Sequence, residues 1–131
     1  FVYGPKHAKK LPYYDTFPLV LPLERYSDGF LGMNFHYLPI PLRMRLLDRM
    51  FDFAGGDEEN FDEDTQVRVT YDKVKNINLV RPTIKRYLAV FTKSQFRRID
   101  ADEFVVATLL PVQRFKKASA DAVWSDSRKM I

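Results

Sequence analysis

The chain has 131 residues, 46% hydrophobic and 15% aromatic, with 21 Lys+Arg, 17 Asp+Glu and no cysteine. That length and apolar supply fit one domain with its own core and exclude a disordered chain, while the missing cysteine excludes disulfides, thiolate metal sites and a cysteine nucleophile. The net charge of +4 is split: residues 1–65 hold 7 Lys/Arg against 11 Asp/Glu, and residues 66–131 hold 14 against 6. A split of this kind marks either a basic face for nucleic acid or an acidic partner, or simply two differently solvated faces.

The chain starts at Phe1, and an unseen N-terminal extension is expected before it, with Phe1-Val2-Tyr3 as the visible part of a strand. No secretory signal is expected, and no apolar run approaches the roughly 20 residues of a membrane span. Pro5, Pro12, Pro18 and Pro22 predict strands that are short, at edges or broken by bulges. Thr16 to Leu23 reads as one strand and Phe30 to Leu38 as its partner, with Ser27-Asp28-Gly29 as the turn. Pro39-Ile40-Pro41 then opens a helix carrying Leu42, Leu46, Leu47, Met50, Phe51 and Phe53 at helical spacing, stopped by Gly55-Gly56.

Asp57 to Asp64 is an acidic segment around Phe61, without the spacing of a calcium loop. Val67 to Tyr71 reads equally as a strand or as the start of a helix through Ile77. A helix is predicted from Pro82 to about Arg98. At about 100° per residue Ile84, Tyr87, Leu88, Phe91 and Ile99 share one sector, with Lys85, Arg86, Lys93 and Arg97 beside it and Phe96 among the cations. Phe104 to Leu110, closed by Pro111, reads as a buried strand. Ser119 to Lys129 reads as a last helix, capped by Ser119 and with Arg128 and Lys129 at its C-terminal end. The fold class expected is α+β: a small antiparallel sheet, built from an N-terminal meander plus one later strand, packed against two or three helices. The domain expected is a single one over residues 1–131.

No catalytic residue, metal ligand or cofactor motif stands out. His7 and His36 lack a partner at metal-ligand spacing, and His36 reads as a hydrogen-bonded structural group. No Gly-x-Ser-x-Gly elbow and no phosphate loop occur. The expectation is therefore a protein that is not an enzyme. A hydrolytic domain using Asp/Glu and His36 is the alternative from another class.

Surfaces remain. Lys85, Arg86, Lys93, Arg97, Arg98, Lys116 and Lys117 are the candidate nucleic-acid contacts, with Arg114, Arg128 and Lys129 nearby in sequence. Phe96 and Phe115 sit among them as base-stacking aromatics do. Tyr13, Tyr14, Tyr26 and Trp124 are the candidate protein-binding residues, Leu11 to Asp15 forming either a docking loop or a core-lining one.

Three segments carry a family resemblance: Leu11-Pro-Tyr-Tyr-Asp-Thr-Phe-Pro-Leu-Val20, Gly29-Phe-Leu-Gly-Met-Asn-Phe-His-Tyr-Leu-Pro39 and Val123-Trp-Ser-Asp-Ser-Arg128. Together they resemble a small virion protein of contractile-tailed phages, of the T-even-like marine and cyanobacterial kind, labelled DNA end protector or virion structural protein. The resemblance implies location in the virion. The leading expectation is a structural component of the neck or baseplate region that binds other virion proteins, with homo-oligomeric packing in a symmetric assembly left open. The alternative is a DNA end protector whose basic helix face meets double-stranded DNA. No membrane partner is implied.

Overall fold

The computed structural model describes residues 13–54, 71–88 and 101–131. The expectations for Phe1 to Tyr3, His7, Gly55-Gly56, Asp57 to Asp64, Lys93, Phe96, Arg97 and Arg98 lie outside those residues.

The described chain contains a three-stranded antiparallel sheet of β2 (Val20–Tyr26), β3 (Gly29–Asn34) and β4 (Ile84–Leu88), with β3 in the middle. Ser27 and Asp28 form the two-residue turn that pairs Tyr26 with Gly29, as turn residues between two apolar runs should. Pro22 lies on β2, an outer strand, where its missing N–H need not serve a ladder. The register slips between Pro22 and Glu24 and leaves Leu23 as a bulge residue only 8% exposed. The expected first strand thus begins later than Thr16. Its upstream neighbour, β1 (Tyr14–Asp15), belongs to a separate two-stranded ribbon with β5 (Phe115–Lys116).

β3 runs into a single 3-10 turn, Phe35–Tyr37, started by Asn34, whose side chain accepts from the His36 amide. Helix α1 (Ile40–Ala54) follows, with Pro41 in its first turn. Leu46, Leu47 and Met50 are buried on one side, joining Leu23, Met33, Phe35, Leu38, Val74 and Val80 in the core. Phe51 is 36% exposed. The ambiguous segment ends in a helix, α2 (Tyr71–Val74), of which Val74 is the buried anchor.

Besides the later start of β2 and the 3-10 turn that cuts the expected Phe30 to Leu38 strand off at Asn34, two elements differ in type from the sequence expectation. Ile84 to Leu88 is strand β4, where the apolar spacing predicts a helix from Pro82; Pro82 instead lies inside a 3-10 turn, Asn78–Thr83. The open edge of β3 decides this: five residues of β4 pair with Gly29 to Met33, and Tyr87 stacks across the register on Phe30 at 5.3 Å. Conversely, Ala101 to Thr108 is helix α3, where the apolar run predicts a strand. Asp102 and Glu103 in its first turn suit a helix N-terminus, and Phe104 meets Phe35 edge-on at 5.1 Å while Val106 faces outward. The sheet-plus-helices class stands, but its later strand is β4. Helix α4 (Ala120–Met130) is capped as expected, Ser119 Oγ accepting from the Ala122 amide.

At Gly29 the backbone of β4 leaves no room for a side chain on β3. A Cβ there would run into the carbonyl oxygen of Tyr87. Gly29→Ala should therefore force the pair apart and cost about 1–3 kcal/mol, read as a lowered urea midpoint at unchanged slope.

Candidate nucleic-acid interface

The β1–β5 ribbon is only two residues deep, and it holds its place through one buried carboxylate. Asp15 is 3% exposed. Its Oδ1 accepts from the backbone amides of Phe17 at 2.9 Å and Arg114 at 3.1 Å. Its Oδ2 accepts from Asn34 Nδ2 at 3.0 Å and His36 Nδ1 at 2.8 Å. Burial raises the carboxyl pKa, but the bonds and charge contributed by His36, with Asn34 and the Phe17 amide, outweigh it and hold the group below its ordinary range.

Strand alternation then sorts the ribbon's side chains. Asp15 faces inward opposite Phe115, so Tyr14 faces outward opposite Lys116. Both outward residues are accessible, Lys116 exposed and Tyr14 in part. Beyond them Lys117 takes φ 71°, a left-handed conformation unusual for a non-glycine residue, and its side chain is exposed. On the other flank Arg114 is exposed with its guanidinium 4.9 Å from the centre of the Phe17 ring.

An aromatic cluster backs the ribbon. Tyr37, 5% exposed, meets Phe115 edge-on at 5.2 Å and Tyr13 at 6.2 Å. Burial, reinforced by the Asp15 charge, raises the Tyr37 phenol well above its ordinary range. Lys85 Nζ sits 4.1 Å from the Tyr37 ring centre, and burial pulls its pKa down. The Tyr13 phenol is raised by burial and by Asp126.

The predicted cations are thus separated. Lys85 and Arg86 are neighbours on a strand and point to opposite faces, so they do not share a helix face. Lys85 is folded onto Tyr37, and Arg86 is bound by Asp28 at 2.7 Å while stacked 4.2 Å from the Tyr26 ring. Lys116 and Lys117 lie exposed on the ribbon and just beyond it, and Arg86 is exposed on the sheet beside Tyr26. Of the predicted protein-binding residues, Tyr13 and Tyr14 belong to the ribbon, and Tyr26, 38% exposed, lies beneath Arg86. Trp124 is half-buried and donates from Nε1 to the His36 carbonyl at 2.9 Å, which gives it a structural duty.

Sequence reasoning misses Asp15 and Arg43. Arg43 is 0% exposed and donates from Nε to the Leu38 carbonyl at 2.7 Å. Its Nη1 donates to the Thr108 and Leu110 carbonyls and its Nη2 to Gln113 Oε1, which fixes the end of α3 and the approach to β5. Burial lowers its pKa to about 10. An arginine among Leu42, Leu46 and Leu47 at the start of α1 is the one sequence signal for it. His36, on which the hydrolytic alternative relies, is 1% exposed and held on Asp15.

Because the Asp15 pKa is depressed by folding, its stabilisation is full above the unfolded carboxyl value and is lost as pH falls through the lower folded value. Wild type should lose stability in that acid window. Asp15→Asn places an amide among four donors, should cost about 3 kcal/mol near neutral pH and should flatten the acid limb. Urea unfolding from neutral pH downward checks both.

In comparison with known proteins, residues 1–127 match the family model described as Phage T4 terminal DNA protecting protein. No curated protein and no solved structure matches the chain.

Proposed function

The chain belongs to the phage T4 terminal DNA protecting protein family, and from that premise we propose that it binds the ends of linear double-stranded DNA through the β1–β5 ribbon. The observation that carries this reading is the outward Tyr14–Lys116 pair, flanked by Arg114 and Lys117.

A DNA end differs from the interior of a duplex by exposing one face of its last base pair beside backbone phosphates. An aromatic ring can stack on that face, at about 1–3 kcal/mol per base, while cations meet the phosphates. Tyr14 supplies the ring; Lys116, Lys117 and Arg114 supply the charge. Stacking and phosphate pairing need no bond making or breaking by this chain: covering the terminal base pair denies it to an exonuclease.

The family description favours this end-binding alternative over the leading sequence expectation of a neck or baseplate component. A second reading, docking to another virion protein, draws on a different surface. Val106, Leu109, Leu110 and Val112 are 58%, 47%, 45% and 38% exposed, an apolar run at the end of α3. A protein that stays with packaged DNA in the virion has use for both surfaces.

Binding to a blunt linear duplex should weaken with salt. Lys116→Gln/Lys117→Gln should reduce the slope of log K against log salt by about 0.9 for each phosphate that the pair neutralises in the wild type. Tyr14→Ala should weaken end binding while leaving that slope unchanged. A slope unmoved by the lysine pair would remove the ribbon from the interface.

A further inference from the structure

A cleft distinct from the ribbon opens between α1 and the turn that follows α2. Arg45 and Arg49 of α1 line it together with Asn76 and Asn78, and its volume is about 540 Å³. Half-buried Ile77 and Leu79 contribute the apolar part of the lining.

The two arginines are four residues apart, so they project from the same face of α1. Like charges so placed repel each other, and among the described residues no ion pair relieves them. Asp48 is the one carboxylate in the lining, and it lies within 4.0 Å of neither guanidinium. The cleft therefore carries an excess of one positive charge, and all four of its basic and amide residues are exposed at its mouth. Guanidinium forks match the paired oxygens of a phosphate, and asparagine amides are ordinary donors to phosphate oxygens.

We propose that this cleft seats a phosphate group, contributed by a DNA strand, as a second anchoring point separate from the ribbon. The identity of the donor strand rests on the end-binding reading; the phosphate chemistry rests on the lining. Two anchors on one small protein would hold a terminus more firmly than either alone, because the second one engages at high effective concentration.

The test compares the whole chain with Arg45→Gln/Arg49→Gln and with Lys116→Gln/Lys117→Gln, binding blunt duplexes with a 5′-phosphate or a 5′-hydroxyl across a salt series. Circular dichroism confirms that each variant is folded. Loss of the arginine pair should weaken binding several-fold and lower the salt slope by about 0.9 for one phosphate. An effect confined to the phosphorylated duplex assigns the terminal phosphate; an equal effect on both assigns a backbone phosphate. If the arginine variant binds as wild type while the lysine variant does not, the cleft proposal fails and end binding stands. If wild type binds neither duplex, the end-binding reading fails, and inorganic phosphate becomes the probe. Phosphate-induced shifts in the side-chain amide NMR signals of Asn76 and Asn78, lost in the arginine variant, then uphold the phosphate seat. No shift, or a shift caused only by a polyglutamate peptide, overturns it.

Discussion

The carboxylate of Asp15 gathers donors from three parts of the chain: the bend just after its own strand at Phe17, the end of β3 and the following 3-10 turn at Asn34 and His36, and the approach to β5 at Arg114, 99 residues further on. Burying an ionised carboxylate costs several kcal/mol, and four hydrogen bonds to a charged group, about 1.5–3 kcal/mol each, offset that cost. The geometry therefore depends on several parts of the chain at once. It fixes a ribbon whose own ladder, two residues per strand, would not hold in water.

Arg43 completes the arrangement from the other side. Its hydrogen bonds hold Leu38, the end of α3 and Gln113, so the segment entering β5 is gripped at both Gln113 and Arg114. With Asp15 and Phe115 turned inward, alternation obliges Tyr14 and Lys116 to face solvent. The buried polar cluster and the exposed surface are thus two faces of the same two-residue pairing. Lys85 joins the inner layer, its ammonium against Tyr37.

Much of the fold is legible from local signals. The Ser27-Asp28 turn, the Pro41 start of α1, its leucine spacing and the Ser119 cap all depend on residues within a turn or two of one another. The two elements that depart from those signals are settled by tertiary packing. Ile84 to Leu88 carries apolar residues compatible with helix or strand, and the free edge of β3 selects the strand; packing on Phe35 selects the helix for Phe104 to Thr108. The site is less legible. In the sequence Tyr13 and Tyr14 read as protein-binding and Lys116 and Lys117 as nucleic-acid-binding, because nothing in spacing links positions about a hundred residues apart. Likewise, no pattern announces that Asp15 is a buried acceptor for His36 and Arg114.

Recognition of DNA at its ends is the central claim, and competition between two forms of one DNA measures it most directly. A labelled linear duplex bound to the protein is challenged with the same sequence as an unlabelled linear fragment or as a covalently closed circle. Displacement by the linear fragment, with the circle far weaker at equal mass, is the result predicted, since the circle offers phosphates but no exposed terminal base pair. Equal displacement by both forms would contradict the claim and reduce the ribbon to a general phosphate-binding surface.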